Sequence, residues 1–434
     1  MKTIALFLVL GSVLSACTAG PSVPASITHG PLTGAVTDTT ATIWVRVTFA
    51  PSKVTLTPGG IQATFTSGQD NTYKAGLAGL TPNTSYAYSI YQGDTQLGGG
   101  QFKTFPSPGT EDNIRFLVLS DFFQNEETTV FQNAVADGPY DFVIIGGDFW
   151  HGNCLTPEMA ASEFIDCQRF RFQDLFARTS GGWAPFHEEI LSDHALIHFW
   201  DDHDQGGNNT DKTFIYKEEA LQVLLEYFPT YPTSPYGDWQ IFTHGQADFF
   251  ILDSRSQRDP EGKHNSANRS MLDGDNLGAE GQLEWLKENL LTSAARWKFV
   301  VSPVTFNRTV NKAGAWRGYR NEHHTLVAFV EDNAIGGVIF ITGDLHAGGM
   351  DDGTNSGLPE MLVPGIGPNF VISEAHPTFC GSVPSQDIGV WSHGFYGEGL
   401  GTCPGYAIVE VSAISVVLTV YDGGGNVKLT MTVD

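Results

Sequence analysis

Four short acidic segments follow one another along the chain: Ser120-Asp121, Gly147-Asp148-Phe149-Trp150-His151, Trp200-Asp201-Asp202-His203-Asp204 and Gly343-Asp344-Leu345-His346. Each follows an apolar run, so each reads as the end of a β-strand whose last side chains project into a crevice, the usual ligand-binding position in an α/β sheet. Carboxylates and imidazoles delivered by four such ends can converge on two cations, and the chemistry implied is metal-assisted hydrolysis. Asp148 is the candidate bridge, because a carboxylate can give one oxygen to each ion. Asp121 and His346, joined by His151, complete the first ion (M1); Asp202 and Asp344 join Asp148 at the second (M2). His151 has a competing reading as an exposed residue beside a Gly-Asn turn.

The ligand types bear on the metals. An oxygen-only M2 with three carboxylates suits a hard cation, calcium first, with magnesium or manganese as alternatives. Imidazole mixed with carboxylate suits iron, zinc or manganese at M1. Two ions about 3.5–4 Å apart share a hydroxide, lower its pKa and clamp phosphoryl oxygens for in-line attack on phosphorus. His203, between carboxylates, is the candidate proton donor to the leaving oxygen or brace for a phosphoryl oxygen, with Asp204 orienting its ring. Arg255 offers a guanidinium fork to phosphate, or an ion pair with Asp253 or another carboxylate. Asn208 and Asn209 offer amide contacts to a substrate or simply form a turn.

The elements that must position these residues change character along the chain. Residues 27–106 alternate apolar and polar side chains, as in Ala41–Val47 and Ser85–Tyr91, with Gly, Pro, Asn and Asp between the runs, and predict a small all-β sandwich. Leu80–Tyr86 resembles the turn and corner tyrosine of a fibronectin type III-like domain, with Trp44 in the core. From residue 112 to 434 strands and helices alternate. Strands are expected at Ile114–Leu119, Phe142–Ile145, Ala195–Phe199, Trp297–Val301 and Gly337–Thr342, and helices at Glu126–Ala136, Pro157–Arg178, Lys212–Tyr227, Ala279–Leu291 and Asn321–Asn333. Two sheets flanked by helices accommodate this order. His323-His324 reads as a solvated helix face, His194 and His198 as satisfied core or edge groups, and Asp351-Asp352-Gly353 as a turn.

With 48 Asp and Glu against 23 Lys and Arg, the chain of 434 residues carries a net charge of -25. That field repels nucleic-acid phosphates and anionic membrane surfaces, so no nucleic-acid groove is expected. Residues 1–16 combine Lys2, an apolar stretch from Ile4 to Val13, and Leu14-Ser15-Ala16 before Cys17, the pattern of a bacterial lipoprotein signal followed by a lipidated cysteine. A polar tether over 17–26 follows. An exported, lipid-anchored protein on the periplasmic or surface side of the envelope is the expectation, touching membrane only through its lipid. Cysteine spacing then pairs Cys154 with Cys167 and Cys380 with Cys403, in an oxidising compartment.

Residues 27–434 resemble the alkaline phosphatase D family of binuclear metallophosphoesterases. Beside the four segments, the resemblance rests on Leu252-Asp253-Ser254-Arg255-Ser256-Gln257-Arg258, on Gly278–Leu286 with Gln282, Trp285 and Leu286, on Ala295-Arg296-Trp297-Lys298 and on Trp316-Arg317-Gly318-Tyr319. It implies a two-sheet αββα catalytic fold behind a β-sandwich, and hydrolysis of small phosphate esters at alkaline pH. Three positions depart from the pattern: His151 stands where a tyrosine is common, Asp202 where the wider superfamily has asparagine, and Asp344 where it has histidine. Some members also carry cysteine at the position of Asp121. A phosphodiesterase acting on nucleotides, wall polymers or lipid headgroups is the nearest alternative, and a non-catalytic, calcium-stabilised surface lipoprotein is another.

Overall fold

In the computed structural model, which describes residues 26–122, 128–154, 158–177, 179–261, 269–366, 388–397 and 404–434, strand Ile114–Ser120 is apolar on both faces. Phe116 and Val118 point one way, Leu117 and Leu119 the other, and all four are fully buried. Side chains alternate along a strand, so such a sequence needs cover on both sides. Phe116, Val118, Phe142 and Ile144 meet Phe249, Phe299 and Val301 of a second sheet. Leu117, Leu119, Val143 and Ile145 share a cluster with Phe172 and Phe176 of helix Ala161–Ala177 and with Val223 and Leu224 of helix Lys217–Tyr227. Phe250, Val300 and Phe340 on the far face of the second sheet meet helices Gln282–Thr292 and Arg320–Asp332 through Leu286, Leu290, Leu326 and Val330. The layers run helix, sheet, sheet, helix.

The larger sheet has ten strands, in the order Val427–Val433, Val416–Asp422, Gly405–Val411, Ile114–Ser120, Phe142–Gly146, Ala195–Phe199, Ile27–Gly34, Thr40–Val47, Thr72–Ala78, Thr66–Ser67. The front β-region is therefore continuous with the layers behind it: Ile27–Gly34 pairs in parallel with Ala195–Phe199, Thr33 opposite Ala195. A four-stranded sheet built on Lys53–Thr57, Ser85–Gln92 and Thr95–Lys103 closes the other side of the front sandwich. Tyr86 accepts the Thr81 N–H on its hydroxyl, at 2.9 Å, closing the expected tyrosine corner. Trp44 is buried, but under the helices: its indole N–H donates to the Glu226 carbonyl at 2.7 Å, and its ring meets Phe176 and Tyr227.

Helix boundaries differ from expectation for local reasons. The third expected helix starts at Lys217 rather than Lys212, because Asp211 takes the Thr213 N–H and hydroxyl and folds 211–216 into a turn. His323 is corrected from a solvated to a buried residue, bonded to the Ser356 carbonyl and set against Phe306. His198 is a core residue, as one of its readings had it, but not a satisfied one: it is buried with neither ring nitrogen hydrogen-bonded among the described residues, 3.8 Å from Asp238. Asp351 accepts backbone N–H groups of Gly353, Asn355 and Ser356, as a turn requires. Among the described residues no helix is long and apolar enough to cross a membrane.

One buried acid gives the fold a pH dependence of its own. Glu360, fully buried beside strand Val338–Gly343, accepts both threonine hydroxyls of Thr305 and Thr342 and the Phe306 N–H on one oxygen, while its other oxygen has no partner. Burial pushes it up from 4.5 to about 7, against hydrogen bonds that favour the charge. Between pH 4.5 and about 7 the unfolded chain gives up a proton that the fold keeps, so stability falls as pH rises through that window and then levels. Glu360→Gln lacks this dependence. Across the window it should gain on the wild type by about 3 kcal/mol in urea unfolding; parallel pH profiles would contradict the assignment.

Candidate metal centre

Parallel pairing sets Ser120, Gly146 and Phe199 side by side, so the residues after them leave three strands at one edge. Strand Val338–Gly343 delivers Asp344 to the same edge from the second sheet. The approach is so close that a Cβ at Gly343 would lie 2.5 Å from Ser120 Oγ and 3.5 Å from Asp121 Oδ2. Asp121, Asp148, Asp344 and His346 all hold left-handed backbone, with φ of 53°, 53°, 73° and 51°. Asp and His tolerate that region at a cost of about 1–3 kcal/mol each, and such strain is concentrated at functional positions.

The first group contains Asp121, Asp148, His151 and His346, whose ligand atoms all lie within 4.8 Å of one another. His151 Nε2 is 3.1 Å from His346 Nε2 and 3.2 Å from Asp148 Oδ2, and His346 Nε2 is 3.5 Å from Asp121 Oδ1. Two imidazole nitrogens facing each other among carboxylates, with Asp121 Oδ1 buried and lacking any donor, are a donor set that fits a cation. His151 Nδ1 sits 3.1 Å from the Phe122 carbonyl, which fixes the ring with Nε2 turned inward. His151 therefore lies inside the cluster, side chain 8% exposed, and the exposed-turn reading is set aside.

The M2 set divides. Asp148 and Asp202 form a group with His203, whereas Asp344 belongs to a different group, with Asp201 and Asp202. That group surrounds Arg255, which is fully buried: Nε is bound to Asp201, Nη2 lies 2.9 Å from Asp344 Oδ1, and Nη1 lies 3.4 Å from Asp202 Oδ2. The expectation that Arg255 reaches a substrate phosphate is thereby corrected. Nε and Nη2 are hydrogen-bonded to carboxylates, while the buried Nη1 lies beside Asp202 without a hydrogen bond among the described residues, and the partner is not Asp253, which accepts the Asp238 and Ser256 N–H groups. Asp204 is corrected as well. Its oxygens accept the Phe149 and Asp201 N–H groups at 2.8 and 3.1 Å, so it braces two ligand-bearing loops, while the His203 ring rests on the Gly152 carbonyl through Nδ1 at 3.3 Å. Asn208 and Asn209 contribute backbone: their N–H groups meet Asn153 Oδ1 and Asp202 Oδ2.

Crowded carboxylates set the electrostatics. Burial, then the neighbouring Asp148 charge, pushes both Asp121 and Asp204 up to about 8. Burial also holds His346 well below the usual imidazole range, with the cationic neighbours His151 and Lys312 acting in the same direction. His151 goes the other way: burial opposes its charge, but Asp148 and Asp121 raise it to about 9. Burial opposes ionisation of Asp202 too, yet Arg255, His203 and Lys312 draw it below the carboxylate range. Protons and cations compete for these oxygens.

Helix Ala161–Ala177 fastens the loops. Gln168 donates to the Asp204 carbonyl at 2.8 Å, and Arg171 donates to the His203 carbonyl at 2.7 Å and to the Gly152 carbonyl. Cys167, one residue before Gln168, is disulfide-bonded to Cys154. Cys17, Cys380 and Cys403 lie outside the described residues. Sequence reading missed Asp201, Arg171 and Lys312; Asp201 had a signal in the Asp-Asp-His run, whereas a lone Lys in a loop and an Arg within a helix had none.

Comparison places this geometry in a class and then in a family. The fold is that of a solved PhoD structure (TM-score 0.72, 18% identity, covering 96% of this chain and 94% of that one). It is also that of purple acid phosphatase PPD1 from yellow lupin (Lupinus luteus) seeds (TM-score 0.61, 13% identity, 93% and 73%). Residues 121–361 match the PhoD-like phosphatase family, and the chain belongs to it. Residues 24–108 match a domain of unknown function, DUF7800. Alkaline phosphatase D of Bacillus subtilis (strain 168) is 25% identical over 314 residues, 62% of this chain and 52% of that protein, so the chain spans about half the length of this curated relative.

Proposed function

We propose that the chain is a metal-dependent phosphohydrolase that releases phosphate from small phosphate esters, exported and anchored through Cys17. The observation that carries the reading is the convergence of Asp121, Asp148, His151 and His346 within 4.8 Å, with a buried carboxylate oxygen unpartnered. These four residues would hold M1 as iron, zinc or manganese, and Asp148 with Asp202 would hold M2 as calcium, magnesium or manganese. Bound there, the ions supply Lewis-acid polarisation of a phosphoryl oxygen and a water of lowered pKa. His203 is fixed by Nδ1 on the Gly152 carbonyl, which leaves Nε2 to serve the leaving oxygen. Asp204 and Arg171 keep its loop in register with the Asp148 loop. Export is supported by the N-terminal pattern and by the Cys154–Cys167 disulfide.

The test is hydrolysis of 4-nitrophenyl phosphate and bis(4-nitrophenyl) phosphate before chelation, after it, and after single ions are returned. Monoester hydrolysis should fall more than about a hundredfold on chelation, beyond what loss of a merely orienting group causes, and should recover with metal. Faster cleavage of the diester would transfer the reading to a phosphodiesterase. No hydrolysis of either ester, or rates indifferent to chelation, would overturn it.

A further inference from the structure

The site carries three cationic side chains bonded to its loops, and two of them are sealed: Arg255 is fully buried and Arg171 nearly so. Lys312 differs. It sits in the loop between strand Trp297–Val304 and helix Arg320–Asp332, its side chain 32% exposed. The loop is held firmly: Asn307 donates to the Val390 carbonyl at 2.8 Å, the Ala315 N–H returns to the Lys312 carbonyl, and Arg258 donates to the Gly314 carbonyl at 2.8 Å. The ammonium is thus delivered to one place without loop rearrangement.

There it bonds Asp344 Oδ2 and lies 3.2 Å from the Asp344 carbonyl oxygen. An ammonium has three donors, so one N–H remains without a protein partner among the described residues. Asp344 Oδ1 is already taken by Arg255. The carboxylate that sequence reading gave to M2 therefore acts, in this geometry, as a clamp holding two cations, one fully buried and one part-exposed. A phosphate ester carries one or two negative charges into a centre crowded with Asp121, Asp148, Asp201, Asp202 and Asp344. A rim cation with a free donor offsets that repulsion and recognises a non-bridging oxygen.

We infer that Lys312 is a substrate-binding residue, held by Asp344, that contacts a non-bridging phosphoryl oxygen and favours doubly charged monoesters over diesters. This rests on the phosphohydrolase reading for its substrate class. The probes are inorganic phosphate, bound at equilibrium to the metal-loaded full chain, and the two nitrophenyl esters, tested on wild type, Lys312→Met and Lys312→Arg. In Lys312→Met, phosphate affinity should fall about tenfold or more and KM for the monoester should rise by a similar factor, the size of losing one charge-assisted hydrogen bond. Metal content should stay near wild type, the diester KM should rise less than the monoester KM, the loss should fall on KM more than on kcat, and Lys312→Arg, which keeps a cation on Asp344, should restore part of it. Unchanged phosphate affinity in Lys312→Met would reduce Lys312 to an ion pair and overturn the inference. So would loss of metal, which would assign it to metal retention. If the wild type hydrolyses neither ester, the phosphohydrolase reading fails by itself, while phosphate binding still decides the role of Lys312.

Discussion

Asp148→Asn should lose more than about a hundredfold in hydrolysis rate and a large part of the bound metal while keeping its fold. Asp148 is the residue common to the Asp121–Asp148–His151–His346 and Asp148–Asp202–His203 groups. The amide keeps the shape and can still accept the His203 N–H that Asp148 Oδ1 accepts at 3.0 Å. What disappears is the charge, and with it the second anionic oxygen that faces His151. Residues that only orient ligands typically cost 10–100-fold when replaced, so a ligand shared by both groups must exceed that range, whereas Asp204→Asn should stay inside it. Metal per chain by elemental analysis and kcat on a monoester are the readouts. Asp148→Asn with wild-type metal and rate would remove it from the centre.

The second large effect falls on stability. Arg255→Met should destabilise the metal-free protein by about 3–5 kcal/mol, because a buried guanidinium is removed while the carboxylates it served stay behind. Asp201, Asp202 and Asp344 all face it, and the side chain has no solvent exposure. Protonation relieves the stranded charges, so the loss should grow from acidic to neutral pH. Added metal should recover part of it by binding only the folded state. Urea unfolding of both proteins with and without metal reads this out. An equal midpoint for the two would show that the carboxylate cage does not depend on Arg255.

What was legible in the chain follows from physical range. An apolar run ending in Asp announces both a strand and the group at its tip, so the sequence alone sets Asp121, Asp148, Asp202 and Asp344 at strand ends. His151 lies three residues beyond Asp148 on the same turn and came with it. The division of the expected M2 set was not legible, because it depends on Arg255 and Lys312, which reach Asp344 from 89 and 32 residues away and leave no local pattern. The annexation of the front strands was hidden for a related reason. Alternation shows which face of Ile27–Gly34 is buried, but not that its edge meets Ala195–Phe199. Gln282, read as part of a helix-start motif, holds the Asp253 N–H and carbonyl and so steadies the Arg255 loop. The residues that carried the family resemblance there are positioning groups, and their chemistry shows only in three dimensions.

The most direct measurement is anomalous diffraction from crystals grown without chelators, collected above and below the absorption edges of iron, zinc and manganese. The account predicts a peak bounded by Asp121, Asp148, His151 and His346, with further density on the Asp148–Asp202 side. Density only at remote surface carboxylates, with these four side chains bridged by water alone, would contradict it.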